Sequence, residues 1–128
     1  ATILDLPMGY VRSGHKDHGR QNQIEGKMEP GTKVVVIEDL ISTGGSVLEV
    51  VDVLRQAGAQ VLGIASIFTY GLQKGVERLA AADVVNYSLS DFDTLSKVAA
   101  AEGYIADKDI AKLTAFQKNP QNPAWMKL

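Results

Sequence analysis

Two adjacent carboxylates followed by hydroxyl and glycine residues form the stretch of this chain most suited to chemistry. Glu38 and Asp39 precede the segment STGGS at 42–46, and apolar residues recur at helical spacing from Val47 onward. The free backbone N–H groups and the dipole of a helix start attract an anion. Glycines allow close backbone approach and hydroxyls add donors, so this stretch predicts a phosphate-binding loop.

The acid pair indicates what else the ligand carries. Carboxylates beside a phosphate would repel it unless they face hydrogen-bond donors or a cation on another part of the same ligand. A ribose diol meets this condition, because vicinal hydroxyls donate to carboxylates and can share a divalent metal with them. We therefore predict that the ligand contains a ribose 5-phosphate unit.

Other phosphate motifs fit this stretch less well. A Walker loop needs a lysine after its last glycine, and a dinucleotide fingerprint has glycines directly after the strand with an acid about 20 residues later. Neither pattern is present at 34–46. The simplest alternative is a packed strand followed by a helix that Ser42 or Thr43 caps, but the acid pair and double glycine disfavour it.

The elements that must position these residues are readable from hydrophobic pattern. The segment VVVI at 34–37 predicts a strand buried on both faces, with the acids at its C-terminal edge. A helix is predicted to about Gln56, with a left-handed cap at Gly58 and a second buried strand at 61–68. We also predict strands at 8–12 and 84–85, and helices at 71–82, from Ser88 or Ser90 to Gly103, and at 107–117. This order predicts one α/β domain over 1–128, with a mainly parallel sheet flanked by helices.

A basic segment precedes the acid pair. Arg12, Lys16, His18 and Arg20 lie in a region with glycines and no hydrophobic periodicity, which predicts a mobile, exposed loop over about 13–25. Such a loop can close on a polyphosphate, and the alternative is an ordinary solvated turn. His15 and His18 have no cysteine or third histidine to complete a zinc site, so no protein metal site is predicted.

The two segments together resemble a known family. All thirteen positions of 34–46 fit the signature of the type I phosphoribosyltransferases. YVR at 10–12, KDHG at 16–19 and IEG at 24–26 resemble the catalytic loop of the orotate phosphoribosyltransferases. The resemblance implies the phosphoribosyltransferase type I fold and transfer of phosphoribosyl from 5-phosphoribosyl 1-pyrophosphate to orotate, giving orotidine 5′-monophosphate. It also implies Mg²⁺ as cofactor and a homodimer with shared active sites.

Roles carry over residue by residue onto the matching positions. The resemblance implies catalytic roles for Arg12, Lys16, His18 and Asp39. It implies that Arg12, Lys16 and His18 bind the diphosphate and that Glu38 and Asp39 hold the ribose hydroxyls. The residues implied to surround the 5-phosphate are Leu40, Ile41, Ser42, Thr43, Gly44, Gly45 and Ser46. Mg²⁺ would be held by ligand oxygens and waters, with no dedicated protein ligands.

The chain departs from the family pattern in three places. Ser13 stands where some relatives have a lysine, and Tyr70 where some have an arginine for the orotate carboxylate. The family's N-terminal portion has no counterpart, so we expect a C-terminal part that binds ribose phosphate but is weak as a catalyst. Alternatives are a regulatory module that binds the phosphoribosyl donor, a transferase for another base, or a receiver-like phosphoacceptor domain.

Composition narrows the class of protein. With 128 residues, one compact core is expected. A net charge of −2 gives no reason to predict a nucleic-acid partner. The chain has no cysteines and no apolar run of membrane-spanning length, so a cytoplasmic protein without a membrane partner is predicted.

Overall fold

A three-stranded parallel sheet forms the centre of the fold. A computed structural model of the chain describes residues 1–12 and 23–128. A 3₁₀ turn at Thr2–Leu4 precedes an antiparallel hairpin of β1 (Tyr10–Val11) and β2 (Ile24–Glu25). The sheet then consists of β3 (Lys33–Ile41), β4 (Gln60–Thr69) and β5 (Asn86–Asp91), adjacent in that order and parallel throughout.

Helices connect and follow the strands. They are α1 (Gly45–Gln56), α2 (Gln73–Ala81), α3 (Phe92–Ala101) and α4 (Asp109–Lys118), and a 3₁₀ turn at Pro123–Lys127 follows. Because parallel neighbours need a crossover, α1 joins β3 to β4 and α2 joins β4 to β5. This confirms the predicted α/β class and the strand-helix-strand unit around the acid pair.

The core lies between the sheet and α1. Val36 and Ile64 are register partners on β3 and β4, and both belong to the buried hydrophobic cluster. From α1, Val47 and Val51 fill the same cluster at a spacing of one helical turn. This packing fixes the direction of β3 and therefore the position of the residues at its end.

The opposite face of the sheet carries apolar side chains that no described residue covers. On β3, Val35 is 52% exposed and Ile37 is 76% exposed, and on β5 Tyr87 and Leu89 are 74% and 86% exposed. The prediction that the strand at 34–37 is buried on both faces is therefore wrong for the described chain. Side chains alternate between faces, and the core cluster lies on the Val36 side only.

Several element boundaries differ from their predictions. The acid pair lies inside β3, which continues to Ile41, and α1 begins at Gly45. The third strand does not occupy 84–85: Val84 packs in the core, and pairing with β4 starts at Asn86. Ser88 and Ser90 therefore lie in β5, and the N-cap of α3 is Asp91, whose carboxylate accepts from the Thr94 N–H.

The described helices are short. None of those found within residues 1–12 and 23–128 has the length and apolar character needed to cross a membrane.

Candidate functional site

The acid pair lies near the C-terminal end of β3, within its last four residues. Glu38 is half-buried and Asp39 is exposed, so both are reachable from the same strand end. The Leu40 N–H donates to Asp39 Oδ1 over 2.7 Å, which fixes the orientation of that carboxylate. A ligand with hydroxyl donors or a cation would find two oxygen acceptor groups here.

Partial burial and the neighbouring Asp39 carboxylate raise the pKa of Glu38. Partial burial is the largest cause of the rise above its usual value of 4.5. The Asp39 carboxylate adds to the rise by accepting a hydrogen bond from the protonated form and by repelling the charged form. Holding Glu38 ionised therefore costs free energy, and a hydroxyl donor or cation at this site would recover some of it.

Replacing Glu38 with glutamine is expected to stabilise the protein at neutral pH. Since the pKa of Glu38 is higher in the folded state, its protonated form contributes stability that is complete below about pH 4.5 and is lost as pH rises through the raised value. Glutamine mimics the protonated form, so its advantage over the wild type grows with pH. Urea unfolding at several pH values between about pH 4 and pH 7 measures this.

Glu49→Gln is the matched control for that measurement. It removes the same charge from an exposed position on α1, away from the acid pair. If the free energies of unfolding of wild type and Glu38→Gln changed with pH in parallel, the raised pKa of Glu38 would be contradicted.

The predicted phosphate loop leads into the start of α1, which no side chain among residues 1–12 and 23–128 caps. Gly44 is the N-cap with φ of 75°, a left-handed conformation that glycine adopts without strain. In the described part of the chain no side-chain cap hydrogen bond reaches the N–H groups at this end of α1, and its first turn contains no acid. Free N–H donors and the helix dipole give this position the features that attract an anion.

Helix α2 contacts the same loop closely. A Cβ placed on Gly75 would lie 2.6 Å from the Ser42 carbonyl oxygen, a distance that only glycine permits. Arg78 Nη1 donates to the Thr43 carbonyl oxygen over 3.2 Å. Sequence reasoning missed both residues, because a glycine and an arginine within a helical pattern carry no local signal for a site on another element.

The end of β4 supports the end of β3. The Tyr70 N–H donates to the Ile41 carbonyl oxygen over 3.0 Å, and Gln117 Nε2 donates to the Tyr70 carbonyl oxygen over 2.8 Å. The Tyr70 ring packs between Phe68 and Phe92, with centroids 5.5 and 5.6 Å away. Tyr70 therefore joins the strand end to the C-terminal helices. A cleft of about 380 Å³ has Ile41, Ser42 and Thr69 among its lining residues.

Only part of the predicted cationic loop is described. Lys16 and His18 lie outside the described residues, as does most of the loop predicted over about 13–25. Arg12 lies at the end of β1, and its Nη2 pairs with Glu25 Oε1 at 2.6 Å. Binding a diphosphate through Arg12 would require this exposed pair to open, which costs little because such pairs contribute about 0–1 kcal/mol.

The donor set suits a hard cation held jointly with a ligand. Within residues 1–12 and 23–128, no group of three or more His, Cys, Asp or Glu side chains converges to hold a metal ion. Glu38 and Asp39 supply carboxylate oxygens, the ligand type that Mg²⁺ prefers, while substrate oxygens and waters can supply the rest. The residues present therefore fit a substrate-bridged magnesium ion.

Comparison with known proteins gives a consistent set of relatives. The family model described as "Phosphoribosyl transferase domain" matches residues 1–98. An orotate phosphoribosyltransferase of Bacillus cereus is 59% identical over 123 residues, which are 96% of this chain and 59% of that protein. The chain thus spans about 59% of the length of such curated relatives.

Solved structures show the same similarity. The crystal structure of orotate phosphoribosyltransferase from Aeropyrum pernix has a TM-score of 0.68 and 31% identity, covering 82% of this chain and 56% of its own. The Mycobacterium tuberculosis enzyme of the same name, in complex with 5-phospho-alpha-D-ribosyl 1-diphosphate, has a TM-score of 0.50 and 28% identity. That match covers 55% of this chain and 42% of the other.

Proposed function

Because this chain belongs to the phosphoribosyl transferase domain family, we propose that it is the donor-binding part of an orotate phosphoribosyltransferase. The reaction transfers phosphoribosyl from 5-phosphoribosyl 1-pyrophosphate to a ring nitrogen of orotate, giving orotidine 5′-monophosphate and pyrophosphate in pyrimidine synthesis. The observation that carries the proposal is the start of α1, which follows the acid pair in the chain, has no cap from a described side chain and contains no acid in its first turn. The 59% identity to a relative of that name supports the choice of orotate.

The acid pair and the loop bind different parts of the donor. Glu38 and Asp39 accept hydrogen bonds from the ribose hydroxyls, and residues 40–46 surround the 5-phosphate with backbone N–H groups and the hydroxyls of Ser42, Thr43 and Ser46. Breaking the bond between C1 and pyrophosphate develops positive charge on the ribose. Fixed carboxylates close to the sugar stabilise that charge more in the transition state than in the ground state.

Positively charged side chains bind the pyrophosphate leaving group. Arg12, Lys16 and His18 bind the pyrophosphate as negative charge develops on it, and closure of their segment excludes water from the cationic ribose. Mg²⁺, when bound, supplies further charge neutralisation at the diphosphate. Glu38 and Asp39 are the described residues that would hold it, together with ligand oxygens and waters.

We propose a cytoplasmic homodimer in which the segment carrying Lys16 and His18 closes over the active site of the partner subunit. Cross-linking and sedimentation of the purified chain would report the dimer directly.

The wild-type chain is expected to bind the phosphoribosyl donor and to turn over orotate slowly. Isothermal titration with phosphoribosyl pyrophosphate, with and without Mg²⁺, measures binding, and loss of orotate absorbance measures transfer. Hypoxanthine and a sample without a base are the controls. Chelation of Mg²⁺ is expected to weaken donor binding, since the diphosphate charge is then left to the side chains alone.

The results of these assays distinguish the proposed function from its alternatives. Consumption of hypoxanthine in place of orotate would indicate a transferase for another base. Donor binding with no turnover, even when the part of a relative that this chain does not span is supplied as a second polypeptide, would indicate a regulatory module. If the chain bound neither ribose 5-phosphate nor phosphoribosyl pyrophosphate, the proposed function would be refuted.

A further inference from the structure

Two residues of the phosphate loop contact α2, and the residue after them lies next to that helix. Gly75 lies against the Ser42 carbonyl, and Arg78 Nη1 donates to the Thr43 carbonyl oxygen over 3.2 Å. A Cβ placed on Gly44 would lie 3.9 Å from Leu79 Cγ, which is ordinary van der Waals contact. Gly75, Arg78 and Leu79 lie on one face of α2, since residues three and four apart share a face. This face of α2 therefore packs against the backbone of the loop.

The Arg78 guanidinium also lies at the start of α1. Its Nη1 is 3.6 Å from the position that a Cβ on Gly45 would occupy, and Gly45 is the first residue of that helix. A cation beside a helix N-terminus is unfavourable on its own, because the dipole already makes that end positive. Among the described residues Arg78 has no salt-bridge partner, and the first turn of α1 contains no acid.

A bound anion removes this conflict. A phosphate monoester at the α1 start would be attracted by both the free N–H groups and the guanidinium, whereas without one the two positive groups repel. The two contacts of Arg78 then serve one purpose: the bond to Thr43 orients the loop, and the charge reinforces the helix dipole.

We propose that Arg78 is a positioning residue for the 5-phosphate, acting through the Thr43 carbonyl and through its charge beside Gly45. This role rests on the proposed function of the loop. It assigns part of the phosphate site to α2, an element that contributes none of the residues predicted from the acid-and-glycine signature.

Arg78→Met is expected to weaken ribose 5-phosphate binding about fivefold to tenfold, from the loss of one hydrogen bond and one nearby charge. Arg78→Lys keeps the charge and is expected to recover much of the affinity. Arg78→Gln keeps a donor without the charge, so its binding should depend less on salt than that of the wild type. Isothermal titration with ribose 5-phosphate at two NaCl concentrations measures all three variants.

Arg55→Met is the matched control. Arg55 also donates to backbone carbonyls, from Nη1 to Ala82 O at 2.6 Å and from Nη2 to Asp83 O at 2.9 Å, but neither of these bonds goes to a residue of the loop. Its replacement should lower the melting temperature and leave ribose 5-phosphate affinity unchanged. A general loss of stability therefore cannot imitate the expected result.

The outcomes for the inference and for the proposed function are distinct. If wild type binds ribose 5-phosphate and Arg78→Met binds it equally well, the role of Arg78 is refuted and the proposed function stands. If wild type does not bind ribose 5-phosphate, the proposed function fails and the role of Arg78 fails with it. Should Arg78→Met not fold, Arg78→Gln and Arg78→Lys give the same comparison, and equal, salt-independent affinities would refute the role.

Discussion

Replacing Ile64 with alanine is expected to lower the free energy of unfolding by about 2–5 kcal/mol. Ile64 lies on the central strand β4 between Val36 of β3 and Asn86 of β5, and it is only 1% exposed. Removing its branched side chain leaves a cavity against α1 that close-packed neighbours can fill only in part. Thermal unfolding followed by circular dichroism should show a melting temperature lower by about 10 °C or more.

Ile67→Ala is the control on the same strand. Ile67 has the same side chain but is 59% exposed on the face that no described residue covers, so its truncation should change stability by about 0.5 kcal/mol or less. Equal destabilisation by the two substitutions would contradict the assignment of the core to one face of the sheet. It would also mean that the other face is covered in solution.

The sequence predicted the type of β3 correctly but not its surroundings. A run of β-branched residues favours a strand, yet the run alone does not say whether both faces are packed. Val36 is buried while its neighbours Val35 and Ile37 are exposed, because α1 packs on one side only. That difference depends on which elements reach the sheet, which local composition does not encode.

The polar strand β5 was harder to predict for a related reason. Its residues, NYSLSD, have the composition of a loop, whereas Val84 and Val85 before it have that of a strand. Pairing with β4 decides the outcome, and on the shared face Ser66 Oγ donates to Asn86 Oδ1 over 2.9 Å. A hydrogen-bonded polar cluster between strands has no hydrophobic period to reveal it.

Some residues of the candidate site could be predicted from the sequence, and others could not. The acid pair and the loop are contiguous in sequence, so their residue types and spacing were enough to predict an anion site beside carboxylates. Gly75 and Arg78 reach that loop only because the crossover through β4 returns α2 to it. Residues that act through the fold on a distant segment have no sequence spacing to be recognised by.

Replacing Gly75 with alanine is expected to weaken ribose 5-phosphate binding about tenfold or more, because a small displacement of positioning groups is costly. In a helix, alanine is normally favoured over glycine by about 0.5–1 kcal/mol. Here the new Cβ would lie 2.6 Å from the Ser42 carbonyl oxygen, and such overpacking costs about 1–3 kcal/mol. The clash outweighs the helix preference, so α2 and the loop must separate.

Gly103→Ala distinguishes loop displacement from loss of stability. Gly103 has φ of 77°, so alanine is strained there, but nothing lies within 4 Å of the new Cβ. Both substitutions should therefore lower the melting temperature, and only Gly75→Ala should raise the dissociation constant for ribose 5-phosphate. If Gly75→Ala bound this ligand as tightly as wild type, α2 would not determine the shape of the loop. The anion site would then depend on β3 and α1 alone.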